Sequence, residues 1–111
     1  MDYVPKRGDV VWLNLTPQSG REQSGRRPVL VLSPQSYNQK VGLALVCPIT
    51  NQAKGYAFEV KIPRGLRAKG VILSDHVKSA DWQTRNIEFI CRVNELVIEE
   101  VVEKIETLLK I

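Results

Sequence analysis

The sequence predicts a mainly β fold, a small antiparallel barrel or half-open sheet of about six strands with one α-helix at its C-terminal end. Two observations lead to this prediction. Short apolar stretches, alternating or continuous, are separated by turn-like segments along most of the chain. The C-terminal segment instead repeats its apolar side chains at helical spacing. With 111 residues, the chain is expected to form one domain, residues 1–111, that buries its own core.

The predicted strands differ in how their apolar residues are arranged. In the first, Val11, Leu13 and Leu15 share one face, which is the period of a half-buried strand. Residues 28–33 and 42–49 are continuous apolar runs, as in strands buried on both faces, and Pro48 marks an edge or an exit. The predicted strands are 9–15, 28–33, 42–49, 56–62, 70–74 and 86–91.

The remaining segments predict loops and the terminal helix. Residues 16–27 contain two glycines and three arginines, so we expect a polar loop there, and residues 34–40 predict a turn with one helical twist. Asn94 is the predicted N-cap of the terminal helix, with Glu95 in its first turn. The helix is expected to cover the sheet with an apolar stripe. That stripe consists of Ile98, Val101, Val102, Ile105, Leu108 and Leu109.

Composition and charge narrow the class of protein. The chain is 43% apolar and 25% charged, which is typical of globular proteins and excludes a disordered or fibrous chain. Residues 1–94 carry a net charge of +7 and residues 95–111 carry −3. A basic body favours nucleic acid or an acidic protein segment as partner, with a merely solvated surface as the alternative. Because apolar leader and bilayer-length segments are absent, we expect a cytoplasmic protein with no membrane contact. Cys47 and Cys91 are expected to be buried free thiols, with a disulfide as the alternative.

The sequence offers few of the groups that hold metals or activate nucleophiles. His76 is the only histidine, and the cysteines lack metal-ligand spacing, so we predict no metal site and no cofactor. Arginine, glutamate and threonine do suit RNA cleavage, because RNA supplies its own nucleophile, the 2′-hydroxyl. The glycine-bounded segment 20–28 holds Glu22 and Arg27 and is the candidate source of a base and a cation, with a solvated loop as the alternative.

Short blocks of residues also occur in an order and spacing that are specific in combination. They are Gly8-Asp9-Val10-Val11-Trp12, Gly20-x-Glu22-Gln23-x-Gly25-x-Arg27-Pro28-Val29-Leu30-Val31-Leu32-Ser33-Pro34, Val46-x-Pro48-Ile49-Thr50, Lys54-Gly55-Tyr56-x-Phe58-Glu59-Val60 and Asp75-x-Val77-Lys78-Ser79. In these blocks the chain resembles the MazF/PemK family of toxin endoribonucleases, over essentially its whole length.

The resemblance implies an SH3-like barrel, a homodimer, and metal-independent cleavage of single-stranded RNA at short sequences that leaves 2′,3′-cyclic phosphate and 5′-hydroxyl ends. It makes Arg27 and Thr50 the candidate catalytic pair and Glu22 the candidate base. Arg27 would stabilise the phosphorane and is one candidate for protonating the leaving oxygen. The residues that the resemblance assigns to RNA binding are Arg21, Gln23, Arg26, Asn51, Gln52, Lys54, Asp75, His76 and Lys78.

Some of these residues have a second interpretation. Asp75 and His76 lie where members of the family read a base, and a structural histidine is the alternative for His76. Arg26, Asn51 and His76 depart from the residues usual in the family, so the cleavage sequence is not implied. The aromatic residues are predicted to be core or interface residues, with base stacking as the alternative. These residues are Trp12, Trp82, Tyr37 and Tyr56.

Three functions follow from these residues and the resemblance. The first is an endoribonuclease toxin neutralised by an antitoxin that places an acidic, partly disordered tail in the basic RNA channel. The second is a non-enzymatic, CcdB-like protein that binds a topoisomerase through the same barrel. The third is a basic barrel that only binds RNA. The combination of Glu22, Arg27 and Thr50 favours the first, because binding alone has no need of Glu22.

Overall fold

The computed structural model describes residues 2–15 and 25–110, and in them the chain forms seven β-strands and two α-helices. The strands are β1 (Asp9–Leu15), β2 (Gly25–Val31), β3 (Ala44–Thr50), β4 (Glu59–Lys61), β5 (Val71–Leu73), β6 (Lys78–Ala80) and β7 (Glu88–Arg92). The helices are α1 (Gln35–Val41) and α2 (Glu95–Leu109), and short 3-10 turns cover Ser74–His76 and Trp82–Thr84.

All of the strand pairs are antiparallel, in the order β4-β5-β3-β2-β1-β7. One edge of β3 pairs with β2. Its other edge pairs with β6 near Ala44 and with β5 at Ile49 and Thr50. Among the described residues the path ends at β4 and β7 without a ladder between them. The predicted fold class, a mainly β sheet with a C-terminal helix, is confirmed, in its half-open form.

Apolar side chains cover both faces of the sheet because neighbouring residues of a strand point to opposite sides. Val10 belongs to the cluster beneath α2, whereas Val11 belongs to the cluster on the other face with Leu13 and Trp82. Both cysteines are free, as predicted, with Cys47 buried and Cys91 half-buried. Burial and the charge of Asp75 raise the pKa of the Cys47 thiol to about 12.

Helix α2 begins as predicted and packs somewhat differently. The Asn94 side chain accepts a hydrogen bond from the Val97 amide at 3.1 Å, which confirms the N-cap. Val97, Ile98 and Val101 are buried. The predicted stripe is wrong towards its end, where Val102, Leu108 and Leu109 are exposed, because only the first turns of the helix bury their apolar residues against the sheet. Within the described residues, no helix has the length and apolarity that a membrane-spanning segment needs.

Several predicted boundaries were wrong, each for a local reason. Residues 25–27, assigned to the polar loop, belong to β2, because β1 continues the ladder as far as the pair Leu15–Gly25. Residues 34–40 contain a two-turn helix, α1, instead of a turn. Pro48 lies inside β3, opposite Val29, and not at an edge. Strand β6 was missed because Lys78-Ser79-Ala80 has no apolar pattern, and residues 56–58 precede β4.

Candidate active site

A cavity of about 590 Å³ opens where β3 ends. Thr50 is the last residue of β3, and the loop towards β4 follows it. β5 starts opposite Thr50 and runs antiparallel to β3, and the 3-10 turn that follows β5 lines the same cavity. The residues around the cavity are Thr50, Gln52, Lys54, Tyr56, Glu59, Leu73, Asp75 and His76. Five of the predicted site residues, Thr50, Gln52, Lys54, Asp75 and His76, therefore share one cavity.

Strand register aligns Thr50 with a charged residue on either side. Val71 of β5 pairs with Thr50 and also with Lys61 of β4. On the other side, the β2–β3 ladder ends at the pair Val29–Pro48, and its register continued by two residues would set Arg27 opposite Thr50. Directly opposed residues of antiparallel strands share a face and lie about 5 Å apart. Arg27 is half-buried on β2 and is not among the residues around the cavity, so its closeness to Thr50 rests on this continued register.

The Thr50 hydroxyl is held in a defined position. Its oxygen accepts a hydrogen bond from the Gln52 amide at 3.1 Å, and the side chain is largely buried. Since a hydroxyl both donates and accepts, the Thr50 hydrogen is left for an acceptor such as a phosphate oxygen. Gly70 packs against the same residue: a Cβ at Gly70 would lie 2.2 Å from the Thr50 carbonyl oxygen. Only glycine fits there.

Tyr56 and Asp75 form a polar pair in the cavity. The tyrosine hydroxyl donates to Asp75 Oδ1 at 2.8 Å, and His76 Nε2 lies 4.0 Å from the same oxygen. Burial, the hydrogen bond to Asp75 and the charges of Asp75 and Glu59 raise the pKa of Tyr56 to about 12. Tyr56 therefore remains a donor at neutral pH. Tyr56 is not a core residue, because it is 37% exposed at the cavity; its predicted interface role stays a prediction.

Glu59 shapes the wall of the cavity. One carboxylate oxygen accepts from the Lys54 amide at 2.8 Å, and the other accepts from the Gly55 amide at 2.9 Å. This double contact fixes the turn that carries Lys54. Sequence reasoning missed Glu59, Leu73 and Gly70. The sequence did hold a signal for Glu59. Side chains alternate along β4, so Glu59 lies on the face of the sheet away from the buried Val60.

Comparison with known proteins identifies the family. Residues 6–109 match the sequence family described as "PemK-like, MazF-like toxin of type II toxin-antitoxin system". The chain belongs to this family.

Individual relatives of the PemK/MazF family agree in sequence and in fold. The chain is 49% identical over 83 residues to the endoribonuclease toxin MazF of Escherichia coli K12, covering 75% of this chain and 74% of that protein. It is 33% identical over 108 residues to the endoribonuclease PemK of Escherichia coli, covering 94% and 81%. The crystal structure of MazF from Deinococcus radiodurans (Form-I) superposes with a TM-score of 0.94 at 51% identity, covering 99% of this chain and 100% of that one.

A second solved structure includes a partner in its description. The structure of MazE-MazF (Form-II) from Deinococcus radiodurans matches with a TM-score of 0.88 at 52% identity, covering 97% of each chain. Together, the family match and the endoribonuclease relatives identify the chain as an endoribonuclease toxin of a type II toxin-antitoxin system.

Among the described residues of this MazF-like toxin, the predicted RNA-binding residues Arg26, Asn51 and Lys78 lie apart from the cavity. Arg26 belongs to β2 and not to a loop. Its guanidinium bonds Asn14 Oδ1, the Asn86 carbonyl and Glu88, and it lies over the ring of Trp12. Because Arg26 and Arg27 are adjacent in a strand, their side chains point to opposite faces.

Lys78 and Asn51 do not line the cavity either. Lys78 pairs with Val46 on β6, and Asn51 is exposed beside Gly70. The predicted residues Arg21, Glu22 and Gln23 lie outside the described residues. Trp82 is a core residue, as predicted, with its indole donating to the Asn38 carbonyl. In residues 2–15 and 25–110, no group of three His, Cys, Asp or Glu side chains is arranged to hold a metal ion.

Proposed function

We propose that this toxin cleaves single-stranded RNA at short sequences without a metal ion and leaves 2′,3′-cyclic phosphate and 5′-hydroxyl ends. The observation that supports the proposal is the β2–β3 ladder: continued by two residues beyond the pair Val29–Pro48, its register pairs Arg27 with Thr50, which lines the cavity. A guanidinium fork and a hydroxyl donor on one sheet face form a site for a phosphate group.

The chemistry needs only these groups and a base. The 2′-oxygen of the RNA attacks the adjacent phosphorus as its proton passes to a base, the bond to the 5′-oxygen breaks, and that oxygen takes up a proton. Arg27 stabilises the negative charge that grows on the phosphorane oxygens, and Thr50 donates a hydrogen bond to one of them. A donor of this kind contributes about 10²–10³-fold to the rate. Glu22 is the proposed base, and Arg27 is one candidate for the proton donor.

Base recognition is assigned to the other end of the cavity. Asp75 Oδ1 already accepts from Tyr56, so Oδ2 is the oxygen left to accept from an amino group of a base. His76 lies beside it and can stack on a base or hydrogen-bond to it, with a structural role as the alternative. Gln52 and Lys54 line the path between Asp75 and Thr50 and are proposed to contact the RNA.

The proposal is tested with a long single-stranded RNA incubated with the purified protein in excess EDTA. The 5′ ends of the products are mapped, and their 3′ ends are tested for cyclic phosphate. We expect cuts at one short sequence, with Arg27→Ala as the control against contaminating nuclease. RNA that stays intact across varied sequences would contradict the proposal and favour the topoisomerase-binding alternative.

We also propose an antitoxin partner, a homodimer and a cytoplasmic location for the chain. The antitoxin proposal is supported by the relative from Deinococcus radiodurans, whose structure is described as MazE-MazF. An acidic, partly disordered antitoxin tail would occupy the same cavity as RNA, which predicts that an acidic peptide and RNA compete. Competition in a binding assay tests the tail, and sedimentation of the purified protein tests the dimer.

A further inference from the structure

A segment rich in cationic residues adjoins the cavity. Residues 61–70, which comprise the last residue of β4 and its connection to β5, contain Lys61, Arg64, Arg67 and Lys69 and no acidic residue. Arg67 donates to the Ile90 carbonyl and so anchors the segment to β7. The side chains of the other three cations are exposed, and within the described residues they have no hydrogen-bond or ion-pair partner. By contrast, Arg92 pairs with Asp9 at 2.6 Å.

Strand register places the first of these cations beside Thr50. Lys61 pairs with Val71, and Val71 pairs with Thr50, so the three residues form one row across β4, β5 and β3. Opposed residues share a face, and adjacent strands are about 4.8 Å apart, so the Lys61 and Thr50 Cα atoms are about 10 Å apart on the same face. Glu59, two residues before Lys61, lines the cavity.

The end of the segment returns to the same residue. Lys69 precedes Gly70, and an ideal Cβ at Gly70 would lie 2.2 Å from the Thr50 carbonyl oxygen. The segment also encloses a cavity of about 410 Å³, in which Ile62 and Leu66 supply apolar walls while Arg64 and Lys69 supply charge. The two cations in this cavity suit the phosphates of a nucleic acid strand.

We propose that Lys61, Arg64 and Lys69 bind the phosphates of the RNA segment that flanks the cleavage site. The inference rests on the proposed function, because it takes RNA as the substrate held at Thr50. Contacts to phosphates do not distinguish one base from another. These residues therefore add affinity for RNA, while the cavity determines the cleavage sequence.

The test compares two double variants with the same chemical change. Lys61→Gln with Lys69→Gln removes two charges from the segment. Lys6→Gln with Lys40→Gln removes two exposed lysine charges elsewhere, and those side chains also have no partner among the described residues. Binding is measured against salt with a fluorescent single-stranded 2′-O-methyl RNA of about 15 nucleotides, which lacks the attacking hydroxyl. Equal melting temperatures confirm that both variants fold.

The logarithm of the binding constant falls linearly with the logarithm of the salt concentration, and each phosphate contact steepens this slope by about 0.7 for a single strand. The segment variant lacks two contacts, so its slope should be shallower by about 1.4. Between about 50 and 200 mM salt, the wild type then loses about sevenfold more affinity than this variant. The control variant should keep the wild-type slope.

Three results would overturn the inference. They are an unchanged slope in the segment variant, an equal loss in both variants, and a loss of binding to a polyglutamate peptide with RNA binding unchanged. The last would identify an acidic peptide as the occupant. Failure of the proposed function is recognised separately, since the wild type would then leave RNA uncut in the EDTA assay.

Discussion

The close approach of Gly70 to Thr50 predicts a large effect from adding one methyl group. Gly70→Ala places a Cβ 2.2 Å from a backbone oxygen, which cannot rotate away, and does so at a φ of +109°. Overpacking of this kind costs about 1–3 kcal/mol and the backbone conformation about 1–3 kcal/mol more, so we expect about 2–6 kcal/mol in total. The end of β3 must shift, and a shift of about 1 Å at a catalytic group costs about 10²-fold in rate.

Gly65 supplies the matched control for this prediction. Its φ is +95°, and within the described residues nothing lies within 4 Å of an ideal Cβ, so Gly65→Ala adds the backbone cost without the clash. Denaturant unfolding should show Gly70→Ala less stable than Gly65→Ala by about 1–3 kcal/mol. Equal losses in the two variants would refute the contact with Thr50.

Three further predictions concern single side chains. Thr50→Val keeps the shape and loses the hydroxyl, so single-turnover cleavage should fall about 10²-fold and Thr50→Ser should restore it; an unchanged rate would exclude the hydroxyl from the reaction. The pKa of Tyr56 is raised to about 12 from an ordinary value of 10.0, so its stabilising effect is complete below pH 10 and is lost as pH rises towards 12. Melting temperatures over that range should fall more in the wild type than in Tyr56→Phe, and parallel curves would contradict the shift. Asp9 is buried and accepts hydrogen bonds from Tyr3, the Lys6 amide and Arg92. Asp9→Ala should therefore lower the free energy of unfolding by about 3–5 kcal/mol, and a loss below about 1 kcal/mol would contradict a stabilising role for Asp9.

The sequence predicted a strand or helix correctly where the local pattern of apolar and polar residues is sufficient to determine it. Alternation in β1 and the apolar runs of β2 and β3 located these strands, and Asn94 marked the start of α2. The local sequence pattern was insufficient where pairing with another strand determines the secondary structure. Residues 25–27 are polar, yet they form the start of β2 because they pair with β1.

The site follows the same division. Residues that resemble family motifs, such as Thr50 and Asp75, could be placed in the cavity before its geometry was known. Glu59 and Gly70 could not, because their roles come from contacts with the Lys54 turn and the Thr50 carbonyl. The resemblance also grouped Arg26 with Arg27, and only the strand assignment separates their faces.

The proposed action of Arg27 and Thr50 on one phosphate is tested most directly by a double-mutant cycle. Residues on adjacent strands are close enough to couple, whereas sites more than about 7–10 Å apart act additively. Arg27→Lys keeps the charge and loses the bidentate fork, so RNA binding should be largely kept while turnover falls about 10²-fold. Arg7→Lys, at an exposed arginine that donates to the Leu32 carbonyl, is the control and should cleave like the wild type.

Cleavage of the mapped RNA site by wild type, Arg27→Lys, Thr50→Val and the double variant is the decisive measurement. Each single change should lower the rate about 10²-fold, and the double variant should fall by no more than about 10³-fold, because both residues act on the same phosphate. A double variant slower by the full product, about 10⁴-fold, would show independent sites. Wild-type cleavage by Arg27→Lys would remove Arg27 from the mechanism.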